Sequence, residues 1–150
     1  MLPLLRLASS PRIVNVASAA GRLAILNSAE LVNAFTSPDL TVPELEALMR
    51  SFVADVEAGE HRAKGWANTC YGRSKLGLIA LTRVLAREEP AMLVSSADPG
   101  YCATDQNQNQ GFVSAERGAQ TPYLLATLPE DQLVSGRHWF EEKEMSWSYS

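Results

Sequence analysis

The run from Arg12 to Ala17, with Ile13-Val14-Asn15-Val16 at its centre, most constrains what this chain can fold into. It is short, mostly apolar and β-branched, which suits a strand buried on both faces of a parallel sheet. Met92 to Ala97 reads as another strand after a long helical interval, and Gly136 to Glu141 as a third. Strand, helix, strand, helix, strand is the order of an α/β fold with a parallel sheet. Three strands are few for such a sheet, so one edge is expected to lie open unless another segment covers it.

The helices are marked by their caps. Thr41-Val42-Pro43-Glu44 has the capping-box pattern, in which the Thr hydroxyl and the Glu carboxylate satisfy orphan backbone amides. Leu45, Leu48, Met49, Phe52, Val53 and Val56 then recur at helical spacing, and Gly59 is a natural stop. A second long helix is expected from Cys70 to Ala86, burying Leu76, Ile79, Ala80, Val84 and Leu85. Ser114 should cap a third, in which Pro122 predicts a kink or a restart. Met1 to Leu5 reads as the tail of a helix, and Ser9-Ser10-Pro11 as the turn out of it. Gln106 to Gly111 is polar and low in complexity, so a mobile loop is expected there, and a loosely ordered tail from Glu142.

The composition supports one domain over residues 1–150. The chain is 46% hydrophobic and 20% charged, with a net charge of −4. That balance argues against a nucleic-acid footprint, which needs a clustered basic face. No apolar run approaches the roughly 20 residues of a membrane helix. Residues 1–29 carry Arg6, Arg12 and Arg22 and no acid, as a transit peptide does, but Ile13 to Val16 already reads as a core strand. Leu2 to Leu7 is too short for a secretory signal and is interrupted by Pro3 and Arg6. Cys70 and Cys102 are far apart and suit neither a disulfide framework nor a metal site, so free thiols in a reducing, cytoplasmic setting are expected. His61 and His138 are isolated and expected on the surface or in loops.

The sharpest chemical feature is Tyr71-Gly72-Arg73-Ser74-Lys75. On a helix, Tyr71 and Lys75 share one face. A neighbouring ammonium favours the phenolate and makes a Tyr usable as an acid or base near neutral pH. Alone, this pattern also describes an exposed Tyr packed on a Lys stem. Two further features sit at strand ends, where open α/β sheets bind ligands. Ser18 ends the first strand and either hydrogen-bonds a substrate carbonyl or caps the next segment. Asp98-Pro99-Gly100 follows the second strand, where Gly100 allows close approach of a flat ring or forms an ordinary turn.

Together these residues resemble the short-chain dehydrogenase/reductase family, and the resemblance runs from about Leu2 to about Glu142. It implies a partial Rossmann-type doubly wound parallel sheet lacking its N-terminal half. It implies Ser18, Tyr71 and Lys75 as the catalytic set: Ser18 orients the substrate carbonyl, Tyr71 is the general acid in reduction, and Lys75 lowers the Tyr pKa and holds the nicotinamide ribose. Pro99 and Gly100 would line the nicotinamide, with Tyr101 and Thr104 close to cofactor or substrate. Trp66 is read equally as a wall of the substrate pocket or as a packing residue.

The interval of 53 residues from Ser18 to Tyr71 is much longer than in most members. Its helical filling, over about 20–65, is similar to the insertion of the carbonyl reductase branch, as is Gly118-Ala119-Gln120-Thr121-Pro122. That branch implies a monomer, NADPH as cofactor with NADH the alternative, and a ketone, aldehyde or quinone as substrate. The departures are equally specific. None of the nine glycines forms the family's Gly-x-x-x-Gly-x-Gly phosphate loop. The Asn-Ala-Gly segment and the catalytic Asn before the Ser strand have no counterpart, and Ala17 stands where many members have a first Ser. Two readings follow. One is a reductase whose nucleotide-binding half comes from elsewhere. The other is a truncated, non-catalytic remnant or an interaction module pairing through its open sheet edge.

Overall fold

The structure is a computed structural model and describes residues 2–148. Met1, at the start of the expected first helix, and Tyr149 and Ser150, at the end of the expected loose tail, lie outside the described residues. The first helix, α1, covers Leu2–Leu5. Strand β1 (Arg12–Val16) pairs in parallel with β2 (Leu93–Asp98), with Asn15 opposite Ser96. Strand β2 pairs in parallel with β3 (His138–Phe140), with Ser96 opposite His138. Strand β4 (Lys143–Met145) closes the far side, antiparallel to β3.

Alternation along the strands assigns the two faces. Val14, Ala97 and Trp139 face helix α5 (Ala115–Thr127), packing with Leu125. Asn15, Ser96 and His138 face helix α4 (Cys70–Glu88), where the Asn15 amide donates to Thr82 Oγ1 at 2.9 Å. Between β1 and α4 the chain makes two short 3-10 turns, Ala19–Gly21 and Leu23–Ile25, then α2 (Ala29–Thr36) and α3 (Val42–Glu57). The larger core joins Phe35 of α2, Leu45 and Phe52 of α3, and Leu76, Ile79, Ala80 and Val84 of α4.

Helix α3 begins as expected: Glu44 accepts from the Thr41 amide at 2.8 Å while Thr41 Oγ1 accepts from the Glu44 amide. Its buried face ends differently. Val53 and Val56 are exposed, and Asp55 is buried in their place. The Asp55 carboxylate accepts from Trp66 Nε1 at 2.8 Å and from Lys64 Nζ at 2.6 Å, which satisfies the buried charge. In α4, Leu85 is only half-buried.

Four further expectations are corrected. Strand β1 is not buried on both faces: it is the sheet's edge, and Val16 is 47% exposed. Helix α5 runs through Pro122 without restarting. The segment after Glu142 is not a loose tail, because β4 forms and Trp147 is buried in the larger core. His138 is neither superficial nor in a loop: it is a buried strand residue whose Nδ1 lies 2.9 Å from Ser96 Oγ.

Candidate active site at the strand ends

The end of β1 and the start of α4 are joined backbone to backbone. A Cβ on Gly21 would lie 2.4 Å from the Lys75 carbonyl carbon, and one on Gly72 would lie 2.9 Å from the Ala20 carbonyl oxygen. Glycine is required at both positions because no side chain fits between turn and helix. This contact brings Ser18 and the Tyr71–Lys75 turn together across 53 residues of sequence.

Ser18 caps the 3-10 turn, its Oγ accepting from the Ala20 amide at 3.2 Å. The capping role considered from sequence is therefore present, and the hydroxyl retains its proton as a donor. Tyr71 lies in the first turn of α4, after Thr69 caps it by accepting from the Gly72 amide at 3.1 Å. Its ring is 56% exposed. Lys75 Nζ sits 5.6 Å from the Tyr71 ring centroid and donates to the Val16 carbonyl at 2.9 Å. One ammonium thus links the Tyr71 helix to the end of β1.

Asp98 joins the two strand ends. Its Oδ2 accepts from the Ala19 amide at 2.8 Å and its Oδ1 from the Gly100 amide at 2.9 Å. Gly100 has φ of +78°, a conformation that favours glycine. Cys102 Sγ donates to the Pro99 carbonyl at 3.2 Å and fixes the turn from beyond. Tyr101 is 48% exposed and meets the exposed Phe112 edge to face at 5.7 Å.

The segment expected as a mobile loop begins in a hydrogen-bonded turn. Asn107 Nδ2 donates to the Cys102 carbonyl at 2.8 Å, and its Oδ1 accepts from the Thr104 amide at 3.1 Å. Gln108 and Asn109 take left-handed conformations. This places half-buried Thr104 at the base of the loop.

Trp66 stands apart from the cluster. It is 2% exposed, meets Phe35 edge to face at 6.1 Å and Phe52 at a tilt at 5.4 Å, and packs in the core rather than walling a pocket. The Arg73 guanidinium lies 4.9 Å from its ring. Burial pushes Arg73 down to about 10, and Nε and one terminal nitrogen find no partner among the described residues. Cys70 is exposed beside Tyr71 and Cys102 is half-buried; neither is bridged. No group of three or more His, Cys, Asp or Glu that could hold a metal gathers among the described residues. Behind the Ser18 turn, a cavity of about 70 Å³ touches Ala19, Asp98, His138 and Trp147.

Sequence reasoning named Asp98 only as the start of a turn and assigned nothing to Gly21 or Trp147. A carboxylate at the end of a buried strand was the available signal for Asp98, and a lone Trp in a polar tail for Trp147.

The chain is 41% identical over 133 residues to (+)-neomenthol dehydrogenase of Capsicum annuum, covering 87% of this chain and 42% of that protein. It is 40% identical over 127 residues to the rat protein named carbonyl reductase (NADPH) 3, covering 80% and 46%. Salutaridine reductase from Papaver somniferum superimposes with a TM-score of 0.84 at 33% identity, over 92% of this chain and 48% of that one. The chain belongs to the short-chain dehydrogenase/reductase family. No family model matches it. It spans about half the length of the curated relatives it matches, and corresponds to the C-terminal part of these short-chain reductases. The four strands are accordingly part of a Rossmann-type sheet. No helix among the described residues is long and apolar enough to cross a membrane.

Proposed function

We propose that this chain carries the proton-donating half of a carbonyl reductase site that works with NADPH. The observation that carries the reading is the Lys75 ammonium, which lies beside the Tyr71 ring and bonds the Val16 carbonyl two residues before Ser18. In this reading the Tyr71 hydroxyl gives its proton to the substrate carbonyl oxygen, and the Ser18 hydroxyl orients that oxygen. Lys75 holds its ammonium 5.6 Å from the Tyr71 ring centroid, on the side of the turn that carries Ser18. Tyr101 borders the substrate, a small ketone, aldehyde or quinone.

The residues present fit the nicotinamide end of the cofactor. Tyr71 is uncovered and Lys75 stands beside it as a donor, while the Cβ side of Gly100 is packed by Val113 and Phe140. Pro99, Gly100, Thr104, Tyr71 and Lys75 would hold that end. When bound, NADPH supplies the hydride. The preference over NADH rests on relatives named for NADPH. The 150 residues lack the glycine-rich phosphate loop, so the remaining contacts must come from another segment or chain. We read residues 1–150 as one domain, with 20–65 as an insertion that favours a monomer, working in the cytoplasm.

The open edge of β1 favours a second reading, a non-catalytic module that pairs through that strand. Titration of the purified chain with NADPH, followed by nucleotide fluorescence, separates the two. Saturable binding at about micromolar concentration, or roughly −8 kcal/mol, abolished by Lys75→Ala, supports the reductase site. A folded chain that binds no nucleotide supports the module, or one half of a site that another chain completes.

A further inference from the structure

The segment after β4 returns to the proposed site from the opposite end of the chain. Trp147 is 6% exposed and lies in the larger core. Its indole Nε1 donates to the Gly21 carbonyl at 2.9 Å, and its own carbonyl accepts from the Leu23 amide at 3.2 Å. Two hydrogen bonds therefore grip the pair of 3-10 turns that follow Ser18. Arg83 of α4 covers the ring, its guanidinium 5.6 Å from the Trp147 ring.

The gripped residue is the one that touches the helix. Gly21 presses directly on the Lys75 backbone, and its amide donates to the Ser18 carbonyl at 2.9 Å. On the other side of the turn, the Ala19 amide is held by Asp98. The turn is thus clamped between Asp98 and Trp147, with Ser18 at one end and Lys75 beneath. The cavity behind it, touched by Ala19, Asp98, His138 and Trp147, leaves room for the turn to shift inward if one clamp is removed.

We propose that Trp147 is a positioning residue that sets the distance between the Ser18 turn and Lys75. It touches no reacting atom; it acts through Gly21. The proposal rests on the reading of Ser18, Tyr71 and Lys75 as a reductase site, and its test separates the two.

The test uses the full chain with Trp147→Phe, which keeps an aromatic ring but removes the indole donor, and Trp147→Ala. The first readout is turnover with NADPH and a carbonyl substrate, with the partner half supplied if the chain needs it. The expected result is a fall in kcat of about 10- to 100-fold, the scale of a misplaced catalytic group, with KM for the carbonyl within about twofold. The second readout needs no activity. The chain has three lysines, Lys64, Lys75 and Lys143, so a lysine side-chain ¹³C spectrum resolves Lys75, assigned with Lys75→Arg. The Lys75 resonance is expected to move toward the free-lysine position in both variants, while Lys64 and Lys143 stay in place. A folded Trp147→Phe protein that melts lower but keeps the Lys75 resonance and an unchanged kcat overturns the proposal. If Trp147→Ala does not fold, Trp147→Phe decides. If the native chain shows no turnover with that half supplied, the reductase reading falls and the lysine spectrum decides the role of Trp147.

Discussion

Asp98 Oδ2 accepts from the Ala19 amide at 2.8 Å, and this bond ties the end of β2 to the turn that follows β1. The other carboxylate oxygen accepts from Gly100. A single buried side chain therefore holds both strand-end turns of the proposed site in one frame. Asp98→Ala leaves two backbone donors without partners, at a cost of about 1–3 kcal/mol for each amide that stays dry. The expected outcome is a lower urea midpoint together with weaker NADPH binding. An unchanged affinity in the folded variant would separate the clamp from the cofactor site.

Tyr71 is exposed, and its hydroxyl bonds no other side chain among the described residues. Tyr71→Phe should leave the unfolding free energy within about 0.5 kcal/mol of the native value. It should lower reductase turnover about 10²- to 10⁴-fold, the range for loss of a general acid. Stopped-flow NADPH oxidation and a urea melt on the same preparation check both halves. Retained turnover would remove Tyr71 from the mechanism.

His138 adds a pH dependence. Burial lowers its pKa from the ordinary 6.5, and the nearby Asp98 charge only partly opposes this. The unfolded chain therefore takes up a proton here at higher pH than the folded chain does. The stability linked to neutral His138 is fully present above about pH 6.5. It is lost as the pH falls through the lower folded value. Urea melts at intervals between about pH 7.5 and 5 should show stability declining on the acid side, and His138→Gln should flatten that decline. An identical slope in the variant would assign it to another group.

Arg73 is a charged side chain buried in the core. It is 1% exposed, and two of its nitrogens have no partner among the described residues. Its attraction to the Trp66 and Phe52 rings, at 4.9 and 5.5 Å, offsets part of the desolvation. Replacement of a buried, incompletely paired charge by an apolar side chain of similar length is often stabilising, by about 1–4 kcal/mol. Arg73→Met is expected to raise the melting temperature without changing NADPH affinity. A lower melting temperature would mean that ring packing outweighs the unpaired nitrogens.

Local patterns determined by themselves much of this protein. The short apolar runs placed β1 and β2, because a strand needs only a few apolar residues in sequence to pack against a helix. The capping box at Thr41 and the periodicity of α4 placed two helices, because both signals act within one or two turns. Tyr71 and Lys75 were legible for the same reason, since helical spacing alone puts them on one face. Edges and clamps were not legible. Val16 reads as a core residue, yet it is exposed at the end of an edge strand. His138 and Trp147 read as surface and tail. They are buried because β3 pairs with β2 and β4 folds back on β3, both long-range events. Gly21, Asp98 and Trp147 meet from three distant parts of the chain, and their roles are set by backbone contacts that no local pattern encodes. Only the tertiary structure decided how the strand-end turns are held, because that depends on which surfaces close on one another after the helices and strands have formed.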